Sequence, residues 1–174
     1  MGASASDFFA LANCQPLDCD RGTFDCQGEF VEENAPVTLH VYDVGHFTSL
    51  TKLNNMLAVL GAGAFHCGVE VYGQEWSYAG FIDGGQEGTG IFPSKPRQCR
   101  DHTYRESDHM GECRMPKHCV DTLLIFLADA WPARGYSVIN RNCCHFSDEF
   151  CVSLGVGPIP RRYLSLAGAL GPAA

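Results

Sequence analysis

The run VINRNCCHFSDEF, Val138 to Phe150, sets two cysteines side by side behind an asparagine and ahead of a histidine. A thiol pair can bind metal, form a disulfide or attack an electrophilic carbon. Asn142 is a good helix N-cap, which puts Cys143 and Cys144 in the first turn of a helix that Gly155 would end. Unsatisfied N–H groups and the helix dipole favour an anion at that end, so a thiolate is stabilised there and an oxyanion could be bound. The position suits a nucleophile.

Helical geometry separates the two cysteines. At about 100° per residue, Cys143 shares a stripe with Phe146, Phe150 and Leu154, the apolar face that must dock on the body. Cys144 lies one step round, nearer Ser147 and Cys151, and His145 points away, exposed or capping. A nucleophile in a cleft should face the neighbouring layer, which favours Cys143. It also needs a base. Of the seven histidines, His66 is best placed, opening a strand after the small-residue run GAGAF. A purely structural histidine is the competing reading. His40 sits mid-strand, and His102, His109 and His118 lie in polar stretches that suggest surface groups.

The elements that must position these residues can be outlined. VTLHVYDV from Val37 alternates as a half-buried strand. FTSLTKLNNMLAVLG carries Leu50, Leu53, Met56, Leu57 and Leu60 at helical spacing. FHCGVEVYG and QEWSYAG read as a hairpin. FIDGGQEGTG is glycine-rich but lacks the lysine and the strand-to-helix setting of a phosphate loop. HTYRES suggests a short strand in a polar region and GYSVIN another. KHCVDTLLIFLADAW stripes Val120, Leu123, Leu124, Leu127 and Trp131 along a helix that Pro132 ends. The order predicts an α+β domain.

Bulk properties narrow the function. A length of 174 residues, 45% hydrophobic, supports one core. A net charge of −8 argues against a nucleic-acid binder. Ten cysteines would fit disulfides or thiols, but the N-terminus is a poor signal peptide and no apolar run approaches a membrane span. A reducing setting, cytoplasmic and also nuclear, is therefore expected. No CxxC pair occurs, which weakens a zinc-binding module. Residues 1–34, with Cys14, Cys19 and Cys26 at spacings of five and seven, read as a partly disordered extension to a domain over 35–170. MGASAS fits the myristoylation pattern at Gly2, and a single acyl chain would give weak membrane association.

Four ordered segments, AFHCGVEVYGQEWSYAG, TGIF, TYRESDHMG and VINRNCCHF, together resemble the PPPDE/DeSI family of permuted papain-fold thiol peptidases. The likeness runs from about Val37 to Ala167. It implies a papain-like sheet-and-helix fold and a Cys–His dyad, with the family histidine on His66 and the family cysteine on Cys143. Cys144 stands where the family has a second asparagine, and Arg162 where it usually has tryptophan. The implied activity is hydrolysis of isopeptide bonds joining ubiquitin or SUMO to lysine, with no metal or organic cofactor. Palmitoyl-thioester cleavage by the same dyad is the alternative. The resemblance fixes neither the oligomeric state nor any third residue that orients His66.

Overall fold

The computed structural model describes residues 34–44, 65–80, 88–100 and 102–164, with the backbone of two short strands before them. Those strands, β1 (Thr23–Phe24) and β2 (Phe30–Val31), pair antiparallel within the expected extension. The helix expected over residues 47–60 lies outside the described residues, as does most of the glycine-rich loop.

The main sheet has five antiparallel strands: β3 (Ala35–Asp43), β4 (Phe65–Val71), β5 (Gln74–Tyr78), β6 (Ile91–Ser94) and β7 (Thr103–Cys113). Their order is β6-β5-β4-β3-β7, which puts β3, β4 and β5 in the interior. The expected hairpin is β4–β5, closed by Tyr72 and Gly73 with φ of 52° and 72°. Both angles are positive, as the tightest hairpin turn requires, and only Gly73 adopts them without strain. The Tyr72 hydroxyl, donating to the Met115 carbonyl at 2.6 Å, ties down the strained residue.

Two expectations change. HTYRES is part of the eleven-residue strand β7, which pairs along the whole of β3 through two register shifts. Most of its side chains are exposed, so no apolar alternation marks its length. GYSVIN is not a strand. Ser137 and Arg141 exchange backbone hydrogen bonds at 2.9 Å in both directions, so the segment closes on itself rather than joining the sheet.

Helices α1 (Lys117–Ala130) and α2 (Cys143–Ser153) follow, with a short α3 (Arg161–Leu164). Along α1, Val120, Leu124 and Leu127 are buried, as is Trp131 at its end. Along α2, Phe146 and Phe150 are buried, with Leu154 at its C-cap. They join Val37, Leu39 and Val41 of β3 and Cys67, Val69 and Val71 of β4 in one core. Burying each large side chain is worth about 1.5–3 kcal/mol. Alternation sends His66, Gly68 and Glu70 to the opposite side of β4. The chain is thus α+β, a five-stranded antiparallel sheet packed with helices.

Candidate active site

The site begins where α2 meets the start of β4. Asn142 caps α2: its Oδ1 accepts from the N–H groups of Cys144 at 3.0 Å and His145 at 3.2 Å. The His145 Nδ1 accepts in return from the Asn142 N–H at 3.3 Å, a capping box with histidine in the place usually held by Glu or Gln. Nδ1 also stands 2.7 Å from Asn142 Oδ1, and burial lowers the His145 pKa. At the other end Gly155, with φ of 81°, lets Val156 N–H reach the Cys151 carbonyl and its own N–H reach Val152. Both ends of the helix are therefore fixed, and with them the first turn.

Cys143 and Cys144 are 4% and 2% exposed. The stripe argument expected only Cys143 to face the body. Instead both sulfurs lie against β4, at 3.8 and 3.7 Å from the Phe65 carbonyl. Side chains in a helix lean back toward its N-terminus, so two successive first-turn residues can both press on the strand that abuts it. Their partners separate them. The His66 imidazole lies close enough to the Cys143 thiol to pull its pKa down, and the Cys143 thiol lies close enough to the Tyr136 hydroxyl to help push the hydroxyl's pKa up. Cys144 Sγ instead stands 3.5 Å from Cys67 Sγ. The structure thus brings together the two residues singled out in the sequence, Cys143 and His66.

The helix terminus should depress the Cys143 pKa, yet the balance runs the other way. The hydrogen bond with Cys144 and then burial push the thiol well above its ordinary value, and the His66 imidazole pulls it only part of the way back. The unligated site thus favours a thiol over a thiolate. Burial also pushes Cys151, a turn further on, up to about 12.

His66 is 4% exposed and pairs across the sheet with Tyr42, their rings 5.9 Å apart. Its Nε2 is 3.3 Å from Cys99 Sγ, a sulfur that also points its hydrogen toward the Arg100 carbonyl at 3.7 Å. The His102 ring stacks on His66 at 4.2 Å and 20°. This corrects the surface placement expected for His102: it is half-buried, burial lowers its pKa, and its Nδ1 is buried without a hydrogen-bond partner among the described residues. His109 and His118 are exposed, as expected. His40 is fully buried between Ser107 and Glu70, both at 2.7 Å.

Sequence reasoning missed Cys99, His102 and Tyr136. All three lie in stretches without apolar period, so nothing local marks them. The loop bearing Cys99 is held by a buried carboxylate. Glu75 accepts from the Tyr42 hydroxyl at 2.7 and 2.8 Å and from the Arg97 N–H at 2.8 Å, and the Cys99 backbone lies close enough to Tyr42 to affect its pKa. Burial raises the Glu75 pKa, partly offset by these donors. Gly68 makes the arrangement possible, because a Cβ there would collide with the Glu75 carboxylate and the Ser77 hydroxyl. At the tryptophan position of the resemblance, Arg162 pairs with Asp108 and stacks over Tyr163, whose ring meets Phe65 edge-on at 5.7 Å.

Comparison with known proteins accords with this geometry. The family model described as "PPPDE putative peptidase domain" matches residues 35–170. A DeSI-like protein of Arabidopsis thaliana is 33% identical over 127 residues, 72% of this chain and 52% of the relative. The DeSI-like protein sdu1 of Schizosaccharomyces pombe is 32% identical over 128 residues, 71% of this chain and 60% of the relative. A desumoylating isopeptidase 1 homolog of Caenorhabditis elegans is 28% identical over 170 residues, 94% of this chain and 47% of the relative. The chain thus spans about half the length of the curated relatives it matches. With four ordered segments in place and the family model covering most of its length, this chain belongs to the PPPDE/DeSI peptidase family.

Proposed function

We propose that this protein is a cysteine isopeptidase that releases SUMO or a ubiquitin-like modifier from lysine, with Cys143 as nucleophile and His66 as general base and acid. The observation that carries the reading is the placement of a first-turn thiol of α2 beside an imidazole at the start of β4, close enough for the imidazole to pull the thiol's pKa down. The name of the Caenorhabditis elegans relative supports SUMO as the modifier.

The chemistry follows from the contacts. The Cys99 hydrogen is directed at the Arg100 carbonyl, so its sulfur can accept from Nε2–H of His66. That tautomer leaves the Nδ1 lone pair to take the Cys143 proton. Because burial and Cys144 hold the thiol protonated at rest, proton transfer accompanies attack rather than preceding it. The sulfur adds to the carbonyl of the modifier's C-terminal residue. Asn142 takes up the N–H groups of Cys144 and His145, which leaves that of Cys143 outside the cap to meet the oxyanion. Protonated His66 then delivers its proton to the departing lysine amine. Water, deprotonated by the same imidazole, hydrolyses the thioester.

Electrophiles attached to the C-terminus of SUMO and of ubiquitin test the assignment. Labelling should be lost in Cys143→Ala and His66→Ala and largely retained in Cys144→Ala. Labelling that survives Cys143→Ala overturns the assignment, and turnover of an acyl-thioester probe without any modifier labelling would make the protein a thioesterase instead.

A further inference from the structure

Besides Cys143, His66 meets Cys99 and His102, and one ligand-type atom from each of these last three residues lies within 4.8 Å of the other two. Two imidazole nitrogens and one sulfur form a donor set for zinc and similar borderline-soft cations, and a poor one for magnesium or calcium. Zinc bonds of about 2.0 Å to nitrogen and 2.3 Å to sulfur put the atoms of such a tetrahedral set about 3.3–3.6 Å apart. Cys99 Sγ and His66 Nε2 already stand at 3.3 Å. His102 contributes a buried Nδ1 without a hydrogen-bond partner among the described residues. Closing the remaining gap asks the His102 ring to turn out of its stack on His66.

We propose that His66, Cys99 and His102 form an inhibitory binding site for a zinc-type divalent cation, which competes with catalysis for the His66 imidazole. The sulfur of Cys99 binds after its thiol proton leaves to solvent, and the two imidazoles bind through nitrogen lone pairs. Water fills the fourth position. With Nε2 on the ion, the one proton of a neutral imidazole sits on Nδ1, where the Cys143 proton would otherwise go. The base is lost without any contact between the ion and the nucleophile. Inhibition therefore rests on the proposed role of His66, whereas metal binding does not.

Cobalt(II) titration of the full chain, stripped beforehand with a chelator, tests the site by absorption. One equivalent should give a thiolate-to-cobalt charge-transfer band and the intense visible bands of a tetrahedral centre, both displaced by zinc. Cys99→Ser should abolish the charge-transfer band, His102→Ala should weaken cobalt binding roughly tenfold or more, and Cys143→Ser should keep both band and affinity. Zinc-edge X-ray absorption of the wild type needs no variant and should show one sulfur with two imidazole nitrogens. A sulfur-rich shell, or a cobalt band unchanged in Cys99→Ser, overturns the proposal. In the electrophile assay, zinc should block wild-type labelling reversibly, and His102→Ala should need roughly tenfold more zinc for the same block. If no modifier labels the protein while the cobalt signature holds, the isopeptidase reading fails and the metal site stands.

Discussion

Two histidines on adjacent strands of one sheet divide structure from chemistry. His40 of β3 is fully buried, and each ring nitrogen is held at 2.7 Å, one by Ser107 and one by Glu70. His66 of β4 is nearly as buried, but its neighbours are the sulfurs of Cys99 and Cys143 and the ring of His102. Oxygen partners at short distance fix a ring. Sulfur partners are weaker donors and acceptors, so they hold this ring less firmly. Burial therefore does not distinguish the proposed catalytic histidine from the structural one; the chemistry of its partners does.

Exchanging the two roles by mutation gives the largest expected effect. His66→Ala should lower kcat/KM on a SUMO conjugate by at least about 10³-fold, the scale seen when a general base is lost from such a pair. His40→Ala, assayed on its folded fraction, should stay within a few-fold of wild type. A loss from His40→Ala as large as that from His66→Ala would erase the contrast.

Stability should run in the opposite order. Removing His40 strips partners from Ser107 and Glu70 and opens a cavity in the sheet's interior, at a cost of about 2–4 kcal/mol. His66→Ala removes a stacked ring and a contact with sulfur, and should cost less. Urea unfolding followed by far-ultraviolet circular dichroism measures both, provided the slopes stay equal.

The same division shows in what the sequence disclosed. Hairpin β4–β5, helices α1 and α2 and the Asn142 cap were legible because each follows a local rule of period, turn or cap. Strand β7 was legible only in part, since its pairing with β3 is long-range and its exposed side chains carry no alternation. Cys143 and His66 could be picked out by helix position, strand position and family pattern. Cys99 and His102 reach His66 only because Glu75 and Tyr42, on two other strands, hold the intervening loop. No spacing rule connects a carboxylate on β5 to a thiol more than twenty residues later.

That carboxylate supplies a smaller, pH-dependent effect. Glu75 has a folded pKa raised above the ordinary 4.5, chiefly by burial. A raised carboxyl binds its proton more tightly folded than unfolded, so its contribution to stability is full at low pH and lost as pH rises through the folded value. Wild type should therefore lose stability as pH climbs from about 4.5 toward neutrality, and Glu75→Gln should lack that component. Parallel urea midpoints across the range would show that Glu75 is not charged against its surroundings.

The smallest effect concerns the paired cysteines. Cys144 is the largest influence raising the Cys143 pKa, ahead of burial, and His66 opposes both. Deleting the neighbouring thiol should leave the imidazole with less to oppose. Cys144→Ala should then shift alkylation of Cys143 by iodoacetamide to lower pH, read by mass spectrometry of the peptide bearing Cys143. His66→Ala should shift it to higher pH, because the imidazole pulls that thiol's pKa down. Opposite shifts from two variants touching the same sulfur exclude a common cause such as loosened packing, which would expose the thiol and move both profiles in one direction. Shifts of the same sign would mean that access to the buried sulfur, rather than its two neighbours, sets its reactivity.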